Sequence, residues 1–152
     1  MTKSFLPLEL NILLADDDHD DCLLFNEALE ELHLNASLSF AHDGEQLMKL
    51  LTKKSEDQFD VLFLDLNMPR KNGFACLEEI KKNDKLKSIP VVIFSTSYDP
   101  RAADLLYKNG AQYYICKPHD FSDLRKVIQT TLLLVSDKRG LQPMKENFYV
   151  EV

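Results

Sequence analysis

The sequence is poor in several things that often carry function. Only three cysteines, Cys22, Cys76 and Cys116, occur in 152 residues. They are odd in number and far apart, with no C-x-x-C, so they read as small buried hydrophobes in a reducing compartment. There is no glycine-rich phosphate loop, no G-x-S-x-G and no arguable Cys–His pairing. The histidines, His19, His33, His42 and His119, lack metal-ligand spacing and are expected on the surface or in turns. Positive charge is in deficit: 18 Lys and Arg face 25 Asp and Glu, a formal net charge of −7. That balance disfavours nucleic-acid binding, which needs clustered cations on phosphates. No apolar stretch approaches the length of a membrane span. The start, MTKSFLPLEL, has no long apolar region behind a basic segment, so it does not read as a signal peptide. A cytoplasmic protein with no membrane contact is expected. No repeat, low-complexity segment or interdomain linker is present.

What remains is an ordinary globular composition, 45% hydrophobic and 28% charged, long enough for one domain with a proper core. Five apolar runs alternate with helical patterns. Asn11 to Ala15 reads as a buried strand, followed by a helix over Asp20 to Leu32 with Cys22, Phe25, Leu29 and Leu32 on one stripe. Ser37 to Ala41 alternates as a half-buried edge strand does. Asp43 is an expected helix cap with Gln46 as its capping-box partner. Lys53 to Gln58 reads as a polar connector. Val61 to Leu64 is a third, buried strand, followed by the loop Asn67 to Gly73 and a helix carrying Leu77 and Ile80. Val91 to Phe94 is the fourth strand. Asp99-Pro100 starts the next helix and Gly110 stops it. Gln112 to Cys116 is the fifth strand, and the last helix begins near Phe121. Strand–helix alternation of this kind forces a mostly parallel sheet with right-handed crossovers, an α/β doubly wound fold.

Parallel strands point their carboxyl ends one way. Strands one, three, four and five end at Asp16-Asp17, Asp65, Ser95 and Lys117, so topology gathers three carboxylates, a hydroxyl and an ammonium on one rim, where such sheets place their binding crevice. Taken singly, each has a plainer reading: a helix cap, a turn cap, a solvated charge. Together they make a site. Carboxylates about 4 Å apart repel by roughly 4 kcal/mol at an effective dielectric near 20, so the cluster calls for a proton or a cation. Oxygen donors without His or Cys favour Mg²⁺ or Ca²⁺ over zinc, and a site with few protein ligands suits Mg²⁺ beside a phosphate. A carboxylate there can itself accept a phosphoryl group.

These residues carry a resemblance. ILLADDD at 12–18, LFLDLNMPRKNG at 62–73, PVVIFSTS at 90–97 and YYICKP at 113–118 look like the motif set of a two-component response regulator receiver domain, in the family's order and at its spacing. The resemblance covers about Asn11 to Val135. It implies a flavodoxin-like (βα)5 fold with a five-stranded sheet in the order 2-1-3-4-5. It implies a receiver over 8–136 and a tail over 137–152 that belongs to no output domain. It also implies a role for each residue. Asp65 is the acceptor, Asp16 and Asp17 are the metal-binding acids, and the Asn67 carbonyl is a further Mg²⁺ ligand. Ser95 bonds the phosphoryl group, Lys117 pairs with it, and Tyr114 is the switch aromatic. The Lys117-Pro118 bond is expected to be cis.

The implied function is a phosphorylation-switched signalling protein. It takes a phosphoryl group from a histidine kinase or histidine phosphotransfer protein and alters binding to a downstream protein. It is no enzyme beyond self-catalysed transfer and autodephosphorylation. An aspartate-nucleophile phosphatase would need an acid at position 67, where Asn67 stands. A constitutive pseudo-receiver would lack the acid pair or the lysine, and both are here. Two positions depart from the common pattern: Ser95 in place of threonine, and His119 where an aromatic is common. The tail lies outside the pattern but carries Leu141, Phe148, Tyr149 and Val150, and is expected to dock.

Overall fold

In the computed structural model, residues 9–53, 59–138 and 141–151 are described. Most of the expected connector at 53–58, and the first residues of the chain, lie outside them. Five strands and five helices alternate as the sequence pattern requires: β1 (Leu10–Ala15), α1 (His19–Glu31), β2 (Ala36–Ala41), α2 (Gly44–Thr52), β3 (Val61–Leu64), α3 (Gly73–Lys82), β4 (Val91–Ser95), α4 (Pro100–Lys108), β5 (Tyr113–Cys116) and α5 (Phe121–Lys138). All pairings are parallel.

The sheet departs from expectation in one respect. It has six strands, not five, in the order β2-β1-β3-β4-β5-β6. The extra strand, β6 (Tyr149–Val150), comes from the tail and follows a 3₁₀ turn at Lys145–Asn147. β5 would otherwise end the sheet with a row of unpaired backbone groups, a liability that proteins cover. Phe148, Tyr149 and Val150 supply apolar side chains for that cover, and both Phe148 and Val150 are buried.

Alternation along the central strands splits the core in two. Ile12, Leu14, Phe63, Phe94 and Ile115 face α1 and α5, meeting Phe25, Val127 and Ile128. Leu13, Leu62, Leu64, Ile93 and Tyr114 face α2, α3 and α4, meeting Leu47, Leu77 and Leu106. Period-two strands packed on both faces need apolar residues at every position, which is why these runs are unbroken.

Local chemistry sets the helix ends. Asp43 accepts from the Gln46 N–H at 2.8 Å, while Gln46 Oε1 reaches back to the His42 N–H at 2.5 Å, one residue earlier than a standard capping box. Asp99 caps α4. Asp18 and Asn72 cap α1 and α3, two caps the sequence reading had not assigned. Gly110 ends α4 at φ +100°, a conformation that side chains with a Cβ resist. At Gly73 the requirement is space: a Cβ there would collide with the Asp65 carbonyl. That close approach, with the Gly73 N–H donating to the Leu66 carbonyl at 2.9 Å, folds the loop tightly behind the end of β3.

Candidate functional site

The order of strands reverses between β1 and β3, the point at whose carboxyl ends such sheets place their binding site. Two ladder bonds fix its floor: the Asp65 N–H donates to the Ala15 carbonyl and the Asp16 N–H to the Ala41 carbonyl, both at 2.9 Å. Asp16 and Asp65 therefore sit side by side, 0% and 6% exposed. Asp17, the next residue, points to solvent. One carboxylate oxygen from each of Asp16, Asp17 and Asp65 lies within 4.8 Å of the others. The three acids expected to cluster do so.

Lys117 enters from the end of β5. Its backbone N–H donates to the Ser95 carbonyl at 2.7 Å, which carries the β4–β5 pairing one step past Ser95 and Cys116. Its ammonium lies 2.6 Å from Asp16 Oδ2, 2.9 Å from Asp21 Oδ2 and 3.6 Å from Asp65 Oδ2. The Phe94 ring centroid lies 5.4 Å away. Ser95 is buried at the end of β4.

The electrostatics follow from these distances. Burial pushes the Asp65 carboxyl up to about 6; Lys117 pulls the other way, and Asp16 adds to the rise through its charge and a hydrogen bond. Burial works against the charge on Lys117, but hydrogen bonds to Asp16 and Asp21 overcome it and hold the ammonium above its ordinary value. The contrast is geometric: Lys117 spends its short contacts on Asp16 and Asp21, leaving Asp65 the less compensated of the two buried acids. Three hard oxygen donors with one reluctant anion among them fit a divalent cation.

Other expected residues fall as follows. Asn67 is exposed just beyond Asp65, and its backbone hydrogen bond to the Asp65 carboxylate lowers that group's pKa, against the larger effect of burial. Tyr114 is 1% exposed, with its hydroxyl donating to the Ser97 carbonyl at 2.8 Å. Its ring packs among Tyr98, Phe148 and Tyr149, with centroids 5.1, 6.2 and 6.1 Å away. Tyr114, the expected switch aromatic, lies inward, under the tail. The Lys117-Pro118 bond is trans, correcting the expected cis form. Trans is the lower-energy isomer even before proline, by about 0.5–1 kcal/mol.

Three features were missed. Asp21, the second anchor of Lys117, lies in the first turn of α1. Its place three residues after the Asp18 cap, aimed back at the strand ends, is the signal that could have found it. His42 stacks on His19, ring centroids 4.3 Å apart, with Nδ1 3.2 Å from the Asp16 carbonyl. Only long-range folding pairs these two. The third is the set of polar contacts by which the tail, whose docking was expected, grips α4 and β5. Gln142 Nε2 donates to the Tyr107 and Ala111 carbonyls, Tyr107 Oη to the Pro143 carbonyl and Gln112 Nε2 to the Leu141 carbonyl, while Lys145 pairs with Asp104.

Comparison with known proteins bears on this arrangement. Residues 12–129 match the response regulator receiver domain family. The response regulator Rcp1 of Synechocystis sp. is 34% identical over 122 residues, spanning 78% of this chain and 83% of the relative. A manganese-bound crystal structure of Rcp1 superposes with a TM-score of 0.72 at 32% identity, covering 80% of this chain and 90% of that one. The phosphorylated cyanobacterial phytochrome response regulator RcpA gives 0.74 at 31% identity, covering 81% and 91%.

Proposed function

The chain belongs to the response regulator receiver domain family, a family of two-component signalling proteins, and we propose that Asp65 is its phosphoacceptor. The observation that carries this is the raised pKa of a buried strand-end carboxylate facing a lysine and two further acids. The other two acids suit different work. Asp16 is committed to Lys117, and Asp17 is open to solvent.

In this reading Asp16, Asp17 and Asp65 hold Mg²⁺, with the Asn67 carbonyl as a further ligand. When bound, the cation offsets negative charge on the transferring group. The chain's own atoms do the rest. An Asp65 carboxylate oxygen attacks phosphorus, a P–O bond forms, and the P–N bond of a donor phosphohistidine breaks with its electron pair leaving on the imidazole. Lys117 gives a donor to the phosphoryl oxygens and Ser95 gives its hydroxyl. The donor is a histidine kinase or a histidine phosphotransfer protein, and the setting is the cytoplasm. Among the described residues no helix is long and apolar enough to cross a membrane.

Readout runs from Ser95 to Tyr114 and on to a downstream protein. The link is short: the Tyr114 hydroxyl rests on the Ser97 carbonyl, two residues past Ser95. A phosphoryl group brings about −1.5 to −2 charges and strong acceptors to one end of that loop. The decisive experiment is intact-mass analysis after treatment with a small-molecule phosphodonor and Mg²⁺. One phosphoryl adduct is expected on the native protein and none on Asp65→Asn. An adduct that survives that substitution overturns the assignment.

A further inference from the structure

We propose that Asp21 is a positioning residue that holds Lys117 back from Asp65 and so limits how tightly the acceptor site keeps a phosphoryl group. The inference rests on the reading of Asp65 as acceptor.

Lys117 has three N–H donors on its ammonium. The geometry commits two of them, to Asp16 at 2.6 Å and Asp21 at 2.9 Å. Asp65, at 3.6 Å, lies beyond a good hydrogen bond. The ammonium thus rests on the α1 side of the crevice, away from the atom it must serve.

The two anchors differ in what a cation does to them. Asp16 belongs to the three-acid cluster and would share its charge with a bound metal. Asp21 is outside that cluster. Its short contact among the described residues is to Lys117, so its pull persists when metal arrives. A phosphoryl oxygen on Asp65 then meets the one remaining donor, on an ammonium that Asp21 holds toward α1.

Asp21 is also a negative charge beside the place where a multiply charged anion forms. Both effects have one sign: Asp21 opposes phosphoryl retention. Neither requires Asp21 to aim Lys117, since Asp16 and the Phe94 ring remain to hold the stem and head. Asparagine in its place keeps the shape and one acceptor but gives up the charge.

The test is beryllium trifluoride, a mimic of the aspartyl phosphate, titrated at saturating Mg²⁺ and followed by NMR. Asp21→Asn should bind it about three- to tenfold more tightly than the native protein, the factor carried by one exchanged hydrogen bond. Asp21→Glu, which keeps the charge, should stay near native. Mg²⁺ alone should bind Asp21→Asn less tightly, because a nearby negative charge is gone and Lys117 is freer to approach the cation. Opposite shifts for the two titrants separate positioning from general loss of structure, which would weaken both. In metal-free protein, the Lys117 ammonium protons should exchange faster in Asp21→Asn. Native protein that binds beryllium trifluoride while Asp21→Asn binds it equally or more weakly overturns the role of Asp21. Native protein that fails to bind it with Mg²⁺ overturns the acceptor reading itself, and this inference with it.

Discussion

The backbone N–H of Tyr114 donates to the carbonyl of Phe148 at 3.0 Å. With Tyr114 and Ile115 in register against Tyr149 and Val150, that bond makes the tail a sixth strand directly against Tyr114. Outward rotation of the Tyr114 ring would have to displace Phe148 and Tyr149. In this chain the ring and the tail are therefore one mechanical unit.

Truncating the anchor of that unit should be felt at both ends. Phe148 is buried between Tyr107 and Tyr114, with ring centroids 5.3 and 6.2 Å away. Phe148→Ala should destabilise by roughly 2–3 kcal/mol, less than the 3–5 kcal/mol typical of a core Phe because a short edge strand can detach. Hydrogen exchange should rise at the Tyr114 amide together with the tail amides. An unchanged melting temperature, or fast tail exchange already in the native protein, would refute a docked tail.

The raised carboxyl of Asp65 predicts a direction for stability against pH. Folded Asp65 titrates near 6, against an ordinary value of 3.8. The folded state thus holds a proton that the unfolded chain has already released. Its contribution to metal-free stability is full below about 3.8 and is lost as pH rises through about 6. Asp65→Asn should melt higher than the native protein at pH 7 without metal, by roughly 1–3 kcal/mol. The gap should close by about pH 4. A constant gap across this range would show that Asp65 carries no such strain.

Metal dependence should be shared unequally among the acids. Asp17 is the exposed member of the trio and has no ion pair with Lys117 among the described residues. Asp17→Ala should weaken Mg²⁺ binding by about tenfold or more in calorimetry, while leaving the metal-free melting temperature within roughly 0.5 kcal/mol of native. Unchanged Mg²⁺ affinity would remove Asp17 from the ligand set.

Much of this was legible in the chain. Val61 to Leu64 could only be a buried strand, because four apolar residues in a row leave no polar face for a helix at the surface. Asp43 with Gln46, and Asp99 with Pro100, announced helix starts because capping bonds join residues two or three apart. Right-handed crossovers then forced Asp16, Asp17, Asp65, Ser95 and Lys117 to one rim. These inferences succeed because each rests on a local interaction or on a chirality rule that acts on any such chain.

Other features had no local signal. Lys117 and Asp21 are 96 residues apart, and a lysine surrounded by three acids gives no hint in sequence of which it touches first. The register of β1 and β5 and the pitch of α1 decided that. That the tail docks was legible in Phe148, Tyr149 and Val150, but only the open edge of β5 makes them a sixth strand. Short-range periodicity, caps and crossover handedness determined the fold and the gathering of the site. Long-range packing decided which charges pair closely and which edge the tail covers, because those choices depend on distances of an ångström or less between parts of the chain that meet only once it has folded.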